Sequence, residues 1–212
     1  MSDLEFFLDP VCPWAWITSR WVTEVQSQRA YDVRWRFISL KILNKNNSAD
    51  WYTAEYKRWH LMGHEALRVA AHVDATLGND AVAALYTALG TEGHKKGRRD
   101  DFAASTEAFV SECLNIAGLD TSFVERAFDE SLDARIQADT DEALGRTGPD
   151  VGTPILTFAP GSEREGSFFG PVIARIPRGD EALRLWDAIE VLATTPGVAE
   201  LKRSLRSTPV FD

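Results

Sequence analysis

The stretch DPVCPWAW, residues 9–16, lies where two sequence patterns meet. Before it, residues 4–8 (LEFFL) form a short apolar run that ends at Asp-Pro, which is typical of a buried strand. After it, apolar side chains recur at helical spacing from Pro13 to about Arg29, and proline suits the first helical turn because the N–H groups there have no helical partner. Cys12 is therefore predicted to lie between the end of a strand and the start of a helix.

The pattern continues outward as a second strand, a long helical region and two more strands. Residues 32–37 (DVRWRF) alternate between apolar and charged, which predicts a strand with one covered face, paired parallel to the first. Helical periodicity predicts four helices in the region 50–147, over residues 54–78, 80–95, 102–119 and 122–146, and Gly78, Gly118 and Gly148 lie where helices would stop. Residues 151–161 and 166–173 predict strands, and residues 179–197 predict a closing helix. The order is β–α–β, helical insert, β–β–α.

Composition limits the classes of function. The chain has 212 residues, of which 44% are hydrophobic and 26% charged, so it can form a packed core. Its formal net charge of -9 argues against general nucleic-acid binding and against a polybasic membrane contact. The first ten residues lack the basic and apolar regions of an export signal, which predicts a cytoplasmic location. Two cysteines, Cys12 and Cys113, agree with a reducing compartment.

Cys12 is predicted to be a nucleophile. A helix start favours an anion, and such a position can lower a cysteine pKa from about 8.5 to between about 3.5 and 7.5. Trp14 would then form a wall of the site, with Pro13 opening the helix. The alternative interpretation of Cys12 is a small buried hydrophobic residue. Cys113 is predicted to be a core thiol, because it shares a helical face with Phe109 and Ala117.

Ala15 stands where a Cys-x-x-Cys pair would end, so an internal resolving step is closed. Two routes remain. In one, a small thiol from solution releases a mixed disulfide formed at Cys12. In the other, Cys12 holds or orients a small thiol while the chemistry takes place on a bound co-substrate. Both routes need an external low-molecular-weight thiol.

Several segments together resemble the DsbA-like branch of the thioredoxin superfamily. Within it, the chain is similar to actinobacterial mycothiol-dependent nitroreductases and related cytoplasmic thiol oxidoreductases. The segments that carry this resemblance are FFLDPVCPWAWITSRWVTEV, ISLKILN, DVGTP, FFGPVIARIPRG and LWD. The resemblance implies a thioredoxin-like α/β fold in residues 1–48 and 149–212, with an inserted helical domain over residues 49–148. Those relatives carry a second cysteine at the place of Ala15, so the chain is either a single-cysteine member or a Cys-to-Ala form of a dithiol enzyme.

The resemblance also implies a substrate-binding set. Thr153 and Pro154 would form a ledge beside Cys12, with a cis peptide bond between them and the Thr153 backbone free to pair with a bound thiol or peptide. Asn44, after the second strand, would line the substrate pocket, although a loop residue at the start of the insert explains it equally well. Tyr56, like Tyr52, would overhang the same cleft from the first helix of the insert.

No metal site is predicted. His60 and His64 lie four apart, but no glutamate follows His60 directly and no third ligand is evident. A dinucleotide-binding or phosphate-binding loop is also absent from the sequence.

The sequence therefore predicts a cytoplasmic thiol-dependent oxidoreductase with Cys12 as its single nucleophile and no tightly bound cofactor. Mycothiol or a similar thiol would be the co-substrate, and a mixed disulfide or a nitro-type small molecule would be reduced. One alternative is a thiol-conjugate isomerase or transferase, like kappa-class glutathione transferases and 2-hydroxychromene-2-carboxylate isomerases. Another is a redox-inactive module that binds a thiol or a peptide. The expected partners are a small thiol and a small-molecule or protein disulfide, and a homodimer is left open.

Overall fold

The computed structural model describes residues 2–212, which form a four-stranded mixed sheet. The strands are β1 (Leu4–Leu8), β2 (Val33–Phe37), β3 (Ile155–Phe158) and β4 (Gly166–Phe169), in the order β2-β1-β3-β4. β1 pairs parallel with β2, which confirms the predicted pairing, whereas β3 is antiparallel to both β1 and β4. β4 ends before its predicted limit at residue 173, because Pro171 has no N–H to continue a ladder.

Helices cover both faces of the sheet. On one face lie α1 (Pro13–Gln26) and α8 (Gly179–Thr194), where the indole of Trp21 donates to the Ala182 carbonyl at 3.0 Å. On the other lies α7 (Asp133–Thr147), packed against β1, β2 and β4. Side chains of the central strands alternate between these two layers, as the strand pleat requires.

The remaining helices lie between β2 and β3 in the chain. They are α2 (Leu40–Leu43), α3 (Ala54–Leu77), α4 (Asn79–Gly90), α5 (Arg99–Ala104) and α6 (Thr106–Ile116). The predicted stops at Gly78 and Gly148 are confirmed, since α3 and α7 end there on glycines with φ of +86° and +90°. The order of elements is the thioredoxin-like one predicted from the sequence. The division into residues 1–48 and 149–212 against 49–148 stays a prediction.

Two of the predicted helices are irregular. The helix predicted over residues 122–146 is wrong in its first half, where 3₁₀ helices span Thr121–Phe128 and Glu130–Leu132. The side chains of Asp120 and Asp129 accept from the N–H groups of Ser122 and Ser131. Such aspartate turns end one helical segment and cap the next, so a continuous α-helix does not form here. The helix predicted over residues 80–95 changes at Gly90 into a π-helical turn, Thr91–Lys95.

No helix within residues 2–212 has both the length and the apolar character needed to cross a bilayer.

Gly90 leaves room on α4 for the side chain of Trp16, which comes from α1. A Cβ on Gly90 would lie 2.0 Å from Cε3 of the buried Trp16 ring, which cannot move freely. We expect Gly90→Ala to lower the free energy of unfolding by about 1–3 kcal/mol through overpacking. Urea denaturation measures this change.

Gly145→Ala is the matched control. Gly145 lies on α7 with no atom within 4 Å of an added Cβ, so alanine there should raise the free energy of unfolding by about 0.5–1 kcal/mol. Equal stability of the two variants would contradict the close packing at Trp16.

Candidate functional site

Cys12 occupies the junction between β1 and α1. It is the N-cap of α1, with extended backbone angles, and its N–H donates to the Asp9 carbonyl at 3.1 Å. Its Sγ accepts from the N–H of Ala15 at 3.4 Å, the bond by which a cap side chain serves a free helical N–H. Pro13 opens the helix, where no donor is needed. The predicted placement of Cys12 is confirmed.

The pairing of β1 with β3 brings the start of β3 to this sulfur. Sγ of Cys12 donates to the Thr153 carbonyl at 3.5 Å, although the two residues are 141 positions apart. The Thr153–Pro154 bond is cis, and the Thr153 hydroxyl lies 3.5 Å from the Phe7 carbonyl. The sequence-predicted nucleophile and ledge therefore lie in contact.

The prediction of a lowered Cys12 pKa is wrong for this conformation. The residue is only 5% exposed, and burial raises the pKa of its thiol to about 12 because a thiolate would lose its hydration. The N–H groups of Ala15 and Trp14 lower that pKa, but by less than burial raises it. The nearby Asp9 carboxyl raises it further. Cys12 is accordingly a protonated donor to Thr153 in the resting site.

Asp9 is a site residue that the sequence analysis missed. Its carboxyl is fully buried, accepts from the N–H of Val11 at 3.0 Å, and accepts from the N–H of Leu40 at 2.8 Å. Burial raises the pKa of Asp9 to about 7, against the lowering effect of these two hydrogen bonds. In the sequence Asp9 marks only the end of a strand, because Asp-Pro is a common turn signal. In the structure it joins the Cys12 loop to α2.

Trp14 and Ala15 complete the helical part of the site. Trp14 is half-buried and packs against the core, and Ala15 is fully buried. Cys113, near the middle of the chain, is a buried free thiol on α6, which confirms the predicted core position.

Among the hydrogen bonds of residues 2–212, none joins Asn44 or Tyr56 to Cys12. The side chain of Asn44 donates to the Leu40 carbonyl at 2.9 Å and accepts from Asn47 at 3.0 Å, as expected of a residue that closes a short helix. Tyr56 is 43% exposed, and its ring packs against Trp51 and His60. Their substrate-binding roles remain predictions.

The two histidines of α3 have separate partners. His60 Nδ1 lies 3.2 Å from the Tyr52 hydroxyl. His64 Nδ1 lies 2.9 Å from the Ser39 hydroxyl, and its Nε2 lies 3.0 Å from Asp133 Oδ1. His64, on α3, therefore connects the start of α2 to the start of α7.

His94 is a second residue that the sequence analysis missed. The π-helical turn places its Nε2–H 2.9 Å from the Pro10 carbonyl, two residues before Cys12. Its ring stacks on Trp16, with centroids 6.3 Å apart. Burial lowers the pKa of His94 to about 4, so the ring is neutral at pH 7. No signal in the sequence marks His94, because its place depends on the π-helical turn, an irregularity often found at functional sites.

A cysteine that caps a helix and faces the residue before a cis-proline, on this order of strands and helices, defines a thiol-dependent oxidoreductase of thioredoxin-like fold. Residues 11–203 match the model of the Rv2466c-like family, described as mycothiol-dependent nitroreductase Rv2466c. The chain belongs to this family.

A curated relative and two solved structures are similar to the chain over most of its length. "Uncharacterized protein Rv2286c" of Mycobacterium tuberculosis is 29% identical over 206 residues, which cover 96% of this chain and 82% of the relative. The cytosolic disulfide reductase DsbM from Pseudomonas aeruginosa, solved with GSH, has a TM-score of 0.55 at 17% identity and covers 88% of this chain and 98% of its own. A second DsbM structure gives a TM-score of 0.55 at 18% identity, covering 89% and 98%. The likeness to DsbM shows the thioredoxin-like fold.

Proposed function

We propose that this protein is a monothiol oxidoreductase in which Cys12 carries a low-molecular-weight thiol as a mixed disulfide. One observation carries the proposal: the Cys12 sulfur faces the Thr153 carbonyl beside Pro154, while buried Ala15 offers no second sulfur. Membership of a mycothiol-dependent family supports mycothiol as that thiol. A site of this kind needs no tightly bound cofactor.

The proposed cycle has two exchange steps. In the first, Cys12 gives up its proton and attacks a disulfide as the thiolate, its sulfur bonds to one half, and the other half leaves as a thiolate that takes up the proton. In the second, a free small thiol attacks the mixed disulfide, which restores the Cys12 thiol and releases a small-molecule disulfide. For a nitro compound, two small thiols oxidised to one disulfide supply two electrons and two protons, which convert the nitro group to a nitroso group and water.

The resting contact between Cys12 and Thr153 sets the order of events. Because the thiol is buried and protonated, the incoming group must first replace the Thr153 carbonyl as the neighbour of Sγ. The Thr153 backbone then becomes available to an extended ligand, in the manner of an added strand. We accordingly propose Thr153 and Pro154 as the binding ledge and Trp14 as a wall beside it. A cytoplasmic location follows from this chemistry, which needs a reducing compartment.

A thiol-conjugate isomerase or transferase is the second candidate, favoured by the raised pKa of Cys12. A buried, protonated thiol is a hydrogen-bond donor, which can orient an external thiol without bonding to it. The conjugate chemistry would then take place on the external sulfur.

Adduct formation separates these candidates. The Cys113→Ser chain, whose single cysteine is Cys12, is incubated with mycothiol disulfide or glutathione disulfide and its intact mass is measured. We expect a gain of one thiol unit, mapped to the peptide of Cys12 and lost on addition of fresh thiol. The Cys12→Ser chain, which keeps Cys113, is the control and should gain nothing.

Tight binding of mycothiol without any adduct would favour the isomerase or transferase. An adduct that fresh thiol cannot remove would contradict the proposed cycle, because its second step would be missing.

A further inference from the structure

A basic groove lies beside the Cys12 loop, between α1, the π-helical turn and the segment that precedes α8. It encloses about 170 Å³ and is lined by Trp16, Arg20, Lys95, Ile176 and Arg178, with Asp212 at one side. Three cations around one small volume stand out in a chain whose formal net charge is -9.

Two of these cations lack a carboxylate partner. Arg20 donates to the hydroxyls of Ser19 at 3.2 Å and Thr87 at 3.0 Å, and its guanidinium lies 4.3 Å from the centroid of the Trp16 ring. Within the part of the chain described, neither Arg20 nor Lys95 has a carboxylate oxygen within 4.0 Å of its charged nitrogens. Burial lowers the pKa of Arg20 to about 10, because its charge has lost water without gaining an ion pair. The groove is therefore built to receive a negative charge.

Residues 210–212 already place one extended segment against the groove. The N–H of Val210 donates to the Ala174 carbonyl at 2.7 Å, which is the backbone contact of an added strand. The ring of Phe211 stacks on His94, with centroids 5.7 Å apart and planes at 26°. Arg178 donates to the Asp212 backbone carbonyl at 3.4 Å, and Asp212 lines the groove. Phe211 thus packs on His94, and Asp212 reaches the groove while its side-chain carboxylate leaves Arg20 and Lys95 unpaired.

The segment is held by few contacts. Ala174 precedes α8, which is 16 residues or about 24 Å long. The chain after Thr194 therefore runs back over about that distance before Val210 reaches Ala174. Residues 199–208 are exposed and form neither helix nor strand on this return. Their side chains and backbone make no hydrogen bond to any other part of residues 2–212. A segment tethered in this way opens at low free-energy cost.

We propose that the basic groove is a peptide-binding site, which takes an extended segment with an aromatic residue followed by an acidic residue. Residues 210–212 are its internal ligand and compete with such a segment from another polypeptide. The aromatic side chain binds on His94, the carboxylate lies among Arg20, Lys95 and Arg178, and the backbone pairs with Ala174. Because His94 also donates to the Pro10 carbonyl, the bound segment lies one contact away from the Cys12 loop. The site does not depend on the Cys12 reaction.

A labelled peptide with the sequence of residues 207–212 (STPVFD) tests the site by fluorescence polarisation. In the full chain, Phe211→Ala removes the stacking of the internal segment without altering the groove. We expect the peptide to bind the Phe211→Ala chain about tenfold more tightly than the unaltered chain, because the internal competitor is weakened. The same difference should persist when Cys12→Ser is added, which separates this site from the redox function.

Two lysine variants test the charge of the groove. In the Phe211→Ala background, Lys95→Gln should weaken peptide binding about fivefold, as loss of one screened charge contact does. Lys57→Gln is the matched control, since Lys57 is an exposed lysine on α3 that lies over the Tyr52 ring, and it should leave binding unchanged. Equal affinity for the unaltered and Phe211→Ala chains, absence of binding to both, or equal effects of the two lysine variants would overturn the proposal.

Discussion

Iodoacetamide is expected to alkylate Cys12 in the folded chain about a thousandfold more slowly at pH 7 than in the unfolded chain. Only the thiolate reacts, and burial raises the pKa of Cys12 from 9.0 to about 12. Each unit of that rise lowers the thiolate fraction about tenfold at neutral pH. The rate in the folded chain should therefore keep rising about tenfold per pH unit up to at least pH 9, where a free thiol begins to level off.

The Cys113→Ser chain gives the rate of Cys12 alone, and the same chain in urea supplies the unfolded reference. The Cys12→Ser chain reports on Cys113, whose pKa burial also raises to about 12, so both cysteines should be slow until the fold opens. A Cys12 rate that levels off below pH 8 would show an activated thiolate and refute the closed resting site.

Asp9→Asn is expected to change how stability depends on pH. The folded pKa of Asp9 is about 7, above its ordinary 3.8, so the folded chain binds this proton more tightly than the unfolded chain. The stability of the unaltered chain consequently falls as pH rises from about 4 to about 7 and is flat outside that window with respect to Asp9. Three pKa units correspond to about 4 kcal/mol. The difference in free energy of unfolding between Asp9→Asn and the unaltered chain should rise by about this amount across the window.

Urea denaturation at pH 4, 5.5 and 7 measures this difference. Burial lowers the pKa of His60 and of His94 to about 4, so both histidines reduce stability as pH falls below 6.5. They do so in both chains, and subtraction removes their effect. Asp187→Asn, at an exposed carboxylate paired with Arg29, is the control and should show no such rise. A difference for Asp9→Asn that stays flat between pH 4 and 7 would contradict a raised Asp9 pKa.

The sheet and the first helix could be predicted because their signals are local. Apolar runs and alternation define β1 and β2, and Pro13 marks the start of α1. The π-helical turn could not be predicted, since helical periodicity continues through residues 91–95. The buried Glu92 pairs with Lys96 at 2.7 Å and Arg98 at 2.8 Å, contacts that depend on how the turn packs.

The sequence predicts where the site lies better than it predicts the pKa values of its residues. The position of Cys12 follows from its neighbours in the sequence. Its pKa depends on burial by residues that are distant in the sequence, such as Thr153, 141 positions away. Asp9 was missed for the same reason, because one of its two partners is the N–H of Leu40 on α2. Phe211 reaches His94 because residues 199–208 run back along the protein as an irregular segment. Such a segment has no hydrophobic periodicity from which its path could be predicted.

Ala15 has a consequence for timing. An enzyme with its own resolving sulfur discharges a mixed disulfide at a rate fixed by its own geometry. Buried Ala15 has no sulfur to carry out that internal step. The lifetime of any adduct at Cys12 would then vary inversely with the concentration of free thiol around the protein. The fraction of the protein that carries an adduct would therefore rise as the concentration of free thiol falls.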